Sequence, residues 1–184
     1  MNQKILRLIF AFLLISIGIS GRLFIDIPNV ETVTAVTLLA GVLLGGSYLW
    51  LIPLLVVGLS DMVIGNDLIL LYTWTGWVMI GLMSKWIPKA SKSIFTQTAY
   101  LTGAGVVSTF FFFLWSNFGV WHLSGMYPHT AMGLVASYVM GLPFLKFQIL
   151  GNLMLVPAVS VVVLGVMKAV NAVQPVKQTQ LERI

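Results

Sequence analysis

The chain has 184 residues, of which 59% are hydrophobic and only 8% charged, and its mean hydropathy is +1.00. A soluble domain carries about 25% charged residues, so this composition excludes a water-facing globular surface and predicts an all-α integral membrane protein. The absence of cysteine excludes disulfides, thiolate chemistry and cysteine metal sites, and the formal net charge is +5.

Six apolar segments follow one another along the chain. A spanning helix needs roughly 20 residues, so this length holds about six spans with short loops. The first run resembles a signal peptide, but no small-x-small cleavage site follows it, and we predict a retained first span. We predict spans at 5–25, 31–46, 48–64, 68–87, 94–116 and 144–171, a tight turn at Gly45-Gly46 and a short extra helix at 130–141 stopped by Gly-Leu-Pro. Residues 1–171 then form one transmembrane domain, and residues 172–184 form a polar, frayed cytoplasmic tail.

The charges are segregated along these segments. The positive-inside rule assigns three basic regions and both termini to the cytoplasm, in a multi-pass protein of the cell inner (plasma) membrane. The basic residues of these regions are Lys4, Arg7, Lys85, Lys89, Lys92, Lys168, Lys177 and Arg183. The remaining loops are then external. They contain four of the five acidic residues, Asp26, Glu31, Asp61 and Asp67, against only Arg22 and Lys146.

Polar and aromatic side chains gather at the predicted external side. Ionisable groups at a membrane edge are costly and therefore indicate function. Ligand sites are mostly apolar and aromatic with a few polar groups, which describes this outer half. Alternatively, the acids cap helices or pair with Arg22 or Lys146, and the aromatic residues are interface anchors. The candidate substrate-binding residues are Asn29, Glu31, Asp61, Asp67, Trp74, Trp77, Asn117, Trp121, His122, Tyr138, Lys146 and Asn152.

The stretch 117–130, NFGVWHLSGMYPHT, is predicted to be an external loop that forms the lid and wall of this site. Its two histidines, His122 and His129, are seven residues apart and do not form a helical metal motif, so interfacial hydrogen bonding is the favoured role. The sequence has no G-x-S-x-G, P-loop or G-x-G-x-x-G motif. We therefore predict neither an enzyme nor a cofactor or metal, and no nucleic-acid partner.

Three segments resemble a known family. The sequences PNVETVTAVTLLAGVLLGG, LIPLLVVGLSDMVIG and NFGVWHLSGMYPHTAMGLVASYVMGLPFLKFQILGN are similar to S-component-like membrane proteins of energy-coupling factor (ECF) transporters. The likeness covers about residues 20–160, and its most distinctive parts are Ser60-Asp61 and the N-F-G-V-W segment. One departure is Glu31-Thr32, which stands where that branch has a nearby proline.

The resemblance implies a six-helix subunit that binds a vitamin or micronutrient under its external loops. Such subunits dock on a transmembrane coupling subunit and two ATPases. Docking in that family uses small residues of the first span, and here Ala11, Ser16, Gly18 and Ser20 are small without forming A-x-x-x-A. The chain begins Met1-Asn2 and lacks the Met-His start of the nickel and cobalt subunits, which disfavours a metal-ion substrate.

Two other hypotheses stay open at this stage. A secondary, proton-coupled transporter that works alone would use Asp61 or Glu31 as its proton group, although a carboxylate near the bilayer midplane would suit it better. A structural bundle or a membrane enzyme is the third hypothesis. A structural bundle would leave the polar cluster unexplained, and a membrane enzyme would lack a convergent acid–base or metal set.

Overall fold

Six α-helices make up the fold in the computed structural model, which describes the backbone of residues 2–65, 67–89 and 93–181 and the side chains of these ranges through residue 172. Within these ranges there is no β-strand. The helices are α1 (Gln3–Phe24), α2 (Val33–Leu39, continued by a π-helical turn, Ala40–Leu44), α3 (Tyr48–Ile64), α4 (Leu70–Met83, continued by a 3-10 turn, Ser84–Trp86), α5 (Ile94–Leu123) and α6 (Ala131–Leu181).

Three of these helices are long and apolar enough to cross a membrane: α1, α5 and the part of α6 from Ala131 to Ala172. The other three are shorter: α3 has 17 residues, α4 has 14, and α2 has seven before its five-residue π turn. These lengths and this composition are compatible with an α-helical membrane protein. Six full spans remain a prediction.

The short helix α2 lies at the centre of the bundle. All seven of its residues are buried, and it contacts each of the other five α-helices. The outward faces of the longer helices carry large apolar side chains, such as Phe12 on α1 and Phe110 on α5. Outward apolar side chains are expected where lipid is the solvent. A short helix such as α2 is then covered by its longer neighbours.

The two ends of the bundle differ in charge. At the end that we call the basic end lie Lys4, Arg7 and the 3-10 turn with Lys85, and the Arg7 guanidinium donates to the Leu44 carbonyl at the end of the π turn. At the other, the acidic end, Arg22 of α1 meets carboxylates from two neighbouring segments. Arg7 and Arg22 are 15 residues apart on one helix, or about 22 Å along its axis.

The predicted boundaries of the first four helices are confirmed to within two residues at each end. The turn at Gly45-Gly46 is also confirmed, because both glycines have positive φ values, +63° and +59°. Side chains other than glycine rarely adopt this conformation. The turn reverses the chain directly between the π turn and α3.

The predicted loop at 117–130 is wrong in its first half. The fifth helix does not stop at residue 116 but continues to Leu123, so only residues 124–130 connect α5 to α6. Gly119 lies where α5 passes α4: a Cβ built on it would come within 2.4 Å of the Tyr72 ring. The glycine thus permits a close helix contact instead of ending the helix.

The separate short helix at 130–141 is also wrong, because α6 runs without interruption from Ala131 through Pro143. Proline removes one helical hydrogen bond, and helices in lipid tolerate this where neighbours support them. Here α6 packs closely on α5 at Gly141, beside Asn117 and Phe113. The predicted tail begins within the same helix, whose backbone reaches Leu181; the side chains of the tail from 173 onward lie outside the described residues.

Substitution of Gly81 in α4 tests the close packing of helices at the basic end. A Cβ built there would lie 1.8 Å from the Leu49 carbonyl oxygen of α3, whereas one built on Gly103 of α5 meets no atom within 4 Å. We expect Gly81→Ala to destabilise the protein by about 1–3 kcal/mol, because backbone has to move. Gly103→Ala should raise stability by about 0.5–1 kcal/mol through helix propensity. Thermal unfolding in detergent measures both, and equal melting temperatures would contradict the packing described.

Candidate functional site

An ion-paired triad joins three segments at the acidic end. Arg22, in the last turn of α1, contacts Glu31 through Nε at 3.1 Å and Asp61 through Nη1 at 2.7 Å. Glu31 lies in the loop before α2, and Asp61 lies in the last turn of α3. The side chains of Arg22, Glu31 and Asp61 are only 17%, 21% and 7% exposed. One guanidinium against two carboxylates leaves a net negative charge when all three groups are ionised.

Further hydrogen bonds hold the triad and extend it to α4. Arg22 Nη1 donates to Ser60 Oγ at 2.9 Å, and Ser60 Oγ donates to the Val56 carbonyl at 2.6 Å. Trp74 Nε1 of α4 donates to the second Asp61 oxygen at 2.7 Å. Each Asp61 oxygen thus faces a donor. Buried charges need this pairing, since an unpaired one costs several kcal/mol.

Glu31 is the more exposed of the two acids in the triad. Burial raises the pKa of the Glu31 carboxyl above its ordinary value of 4.5, Arg22 opposes this rise, and Asp61 adds to it. The effect of burial on the pKa is larger than the opposing attraction of the guanidinium. Glu31 therefore takes up a proton at a higher pH than an ordinary glutamate does.

An apolar groove adjoins the triad on the far side of Trp74. Its cavity has a volume of about 560 Å³, and we call it the α4–α5 groove. It is lined by Leu54, Leu70, Leu71, Trp74, Thr75, Val78, Met79 and Trp115. A second cavity of about 290 Å³ shares Leu71, Thr75 and Trp115 with it and adds Tyr72, His122 and Leu123. Both volumes are close to or within the range of small-molecule sites.

Few polar groups line the groove and the second cavity beside it, and two pairs of them are hydrogen-bonded. Trp115 Nε1 donates to Thr75 Oγ1 at 3.0 Å, and the Tyr72 hydroxyl lies 2.8 Å from His122 Nδ1. The rings of Tyr72 and Trp115 are 5.2 Å apart. A mostly aromatic wall with two hydrogen-bonded polar pairs is suited to a flat ligand that carries a polar substituent.

Trp121 faces the connection between α5 and α6, not the groove. Its Nε1 donates to the Pro128 carbonyl at 3.0 Å, and its ring lies 5.4 Å from that of His129. The rings of His122 and His129 are 6.3 Å apart. This aromatic cluster braces the turn between the two longest helices.

Three predicted site residues instead form hydrogen bonds within the α5–α6 pair, one inside α5 and two from α6 to α5. Asn117 donates from Nδ2 to a carbonyl one turn earlier in its own helix at 2.8 Å. Tyr138 donates to the Leu114 carbonyl at 3.2 Å, and Asn152 donates to the Thr109 hydroxyl at 2.8 Å. These bonds satisfy polar groups inside the helix pair, which is their structural role.

The remaining predicted residues are dispersed. Trp77 is 2% exposed and packs in the core, with its ring 4.5 Å from that of Phe112. Asn29 has a φ of +61° in the turn before α2, a conformation that asparagine tolerates. Asp67 accepts a hydrogen bond from the amide two residues further on at 2.8 Å. Lys146 is exposed on α6 and, over the described side chains, forms no ion pair.

The structure thus brings together Glu31, Asp61 and Trp74 from the prediction, with His122 at the edge of the groove. The prediction missed Arg22, Thr75 and Trp115 as site residues. Arg22 carried a signal, because it is one of only two basic residues among the external acids, and it pairs with both acids while Lys146 pairs with neither. Thr75 carried none, since a threonine in an apolar helix is common.

These features define an all-helical protein, compatible with a membrane protein, that has a partly buried ion-paired triad beside an aromatic groove. Residues 2–177 match the family of unknown function DUF6580, and the chain belongs to this family. Neither the curated proteins nor the solved structures include a significant match to this chain.

Neutralising Asp61 tests the triad. In Asp61→Asn the guanidinium loses its closest carboxylate, so we expect a loss of about 3 kcal/mol in the free energy of unfolding. Asp26→Asn is the matched control, because Asp26 is exposed in the same loop region and should change stability by less than about 0.5 kcal/mol. Thermal or denaturant unfolding in detergent measures the difference. Similar effects of the two substitutions would show that the ion pairs do not stabilise the fold.

Proposed function

We propose that this protein is the substrate-binding subunit of a small-molecule importer, of the kind found in ECF transporters, and not an enzyme. The observation that carries the proposal is the α4–α5 groove, in which Trp74 and Trp115 line a cavity of about 560 Å³ next to a fixed ion-paired triad. The triad positions Trp74 through Asp61, so the groove is held in shape before a ligand enters. Such preorganisation lowers the entropy cost of binding.

The groove limits the chemistry of the ligand. Its lining is apolar and aromatic apart from Thr75 and the adjoining Tyr72–His122 pair. A planar, largely apolar molecule of vitamin size fits this wall, with one polar substituent directed to Thr75 or Tyr72. The ligand would lie between aromatic rings, which bind flat molecules through stacking and burial of area.

The setting in the membrane is part of the proposal. The segregation of basic from acidic residues supports six spans in the cell inner membrane, with both termini and the basic end in the cytoplasm. The groove then opens on the external half. Since the sequence has no P-loop, ATP-driven import would use a separate transmembrane coupling subunit and two ATPases as partners.

A groove variant tests the proposed ligand site. In Thr75→Val with Trp115→Leu the polar pair and one aromatic wall are lost. We expect the amount of co-purified small molecule, measured by mass spectrometry after denaturing detergent-purified protein, to fall by about tenfold or more. Trp121→Leu is the matched control, because it removes an indole that lies outside the groove. A ligand retained by the groove variant, or lost equally from the control, would exclude this site.

A proton-coupled transporter that works alone is the second candidate, and one observation favours it. Burial raises the pKa of Glu31, so this carboxyl at the acidic end holds a proton to a higher pH than an ordinary glutamate does. Of the two acids considered from the sequence, Glu31 suits this role better than Asp61. Asp61 is held by Arg22 and Trp74 and is more buried.

Proteoliposomes containing the chain alone distinguish the two candidates. A carrier would move protons with the co-purified compound without ATP, and an internal pH-sensitive dye would report it. Glu31→Gln should abolish this flux while the compound still binds. If the wild-type chain moves no protons yet retains the compound, the subunit function is supported and the carrier is excluded.

A further inference from the structure

A polar cavity at the basic end is separate from the α4–α5 groove. It has a volume of about 400 Å³ and lies between the π turn after α2, the start of α5 and the later part of α6. Its polar lining residues are Lys89, Ser93, Gln97, Lys168 and Asn171. Its apolar lining residues are Val42, Leu43, Ile94, Leu164 and Met167.

Both charged groups of this cavity are positive. Lys89 precedes α5 and Lys168 belongs to α6, so two separate elements direct ammonium groups to one place. The Lys89 ammonium also lies beside Gly45, 3.9 Å from the position of a Cβ built there. In the part of the chain whose side chains are described, neither lysine forms an ion pair. Their charge is available to an anion.

Gln97 supplies an independent indication of a ligand. It lines the cavity, is only 4% exposed, and its Nε2 has no hydrogen-bond partner among the described residues. A buried amide without a partner costs free energy, so such groups in native proteins generally have one. The unused donor, together with two ammonium groups, calls for an acceptor that carries negative charge.

The start of α5 strengthens the attraction. Ser93 caps this helix by accepting from the Thr96 amide, and Ser93, Ile94 and Gln97 of its first turn all line the cavity. The positive end of the helix dipole therefore points toward the same space as the lysines.

We propose that this cavity binds the phosphate headgroup of an anionic membrane phospholipid. The polar half holds the phosphate between Lys89, Lys168 and Gln97, and the apolar half accommodates the glycerol and the first part of an acyl chain against Leu164 and Met167. A free phosphate ion would leave that apolar half without a role. Basic pockets between helices near the cytoplasmic face are suited to anionic headgroups.

Native mass spectrometry of the purified full-length chain tests this lipid site. Phosphatidylglycerol and phosphatidylcholine with identical acyl chains are added, and the lipid retained on the protein is counted. Replacing both lysines, in Lys89→Gln with Lys168→Gln, should weaken phosphatidylglycerol retention by about thirtyfold and remove its advantage over phosphatidylcholine. The matched control is Lys4→Gln with Lys85→Gln, which removes the same charge at the same end from residues outside the cavity. The control should retain the preference.

Several results would overturn the proposal. One is equal retention of the two lipids by the wild type. Another is an equal loss of phosphatidylglycerol retention in the cavity variant and the control. Calorimetry with inorganic phosphate separates the two sources of the anion, because tight binding of phosphate alone, with no lipid preference, would identify a free ion as the ligand. A Gln97→Leu variant should bind phosphatidylglycerol more weakly than the wild type while its melting temperature stays the same or rises. The co-purified compound of the α4–α5 groove should be unaffected throughout.

Discussion

The burial of Arg22 between two carboxylates is the constraint on which the acidic end depends. A guanidinium cannot lose its charge, so it is stable away from water only where acids meet it. Glu31 and Asp61 provide that partnership from two different segments, and Trp74 extends it to α4. The triad consequently fixes the end of α1, the start of α2, the end of α3 and one wall of the groove together. A change in any one member is transmitted to the aromatic wall through Asp61.

Away from the acidic end, close packing of small residues holds neighbouring helices together. Lipid gives little hydrophobic driving force between helices, so association relies on tight contact. Gly18 of α1 packs on Val56, and Gly41 of the π turn packs on the Ser84 side chain. These contacts surround α2, which is too short to span about 30 Å of hydrocarbon in an unbent form. Its burial by the longer helices explains how so short a segment is stable.

The sequence allowed prediction of the helices up to residue 86 and of the acidic triad partners, because hydropathy, Gly45-Gly46 and charge segregation are local signals. It did not allow prediction of where α5 ends and where α6 begins. Pro143 resembles a breaker in sequence, and the close contact of Gly141 with α5 accompanies a helix that continues through it. The same limit applies to the site. Asn117 and Tyr138 have the chemistry of ligand contacts, but their hydrogen bonds are used within the pair.

Under the proposed function, the position of α2 constrains how a ligand would cross the bundle. Helix α5 lines the α4–α5 groove at Trp115 and the polar cavity at the basic end at Gln97. These two residues are 18 positions, or about 27 Å, apart along the helix. Among the described residues, α2, whose residues are all buried, fills the interior between these two sites. Movement of a ligand from one side to the other would require α2 to leave its place or the whole bundle to reorient. Because α2 contacts every other α-helix, reorientation of the intact bundle would disturb far fewer contacts than removal of α2 from its place.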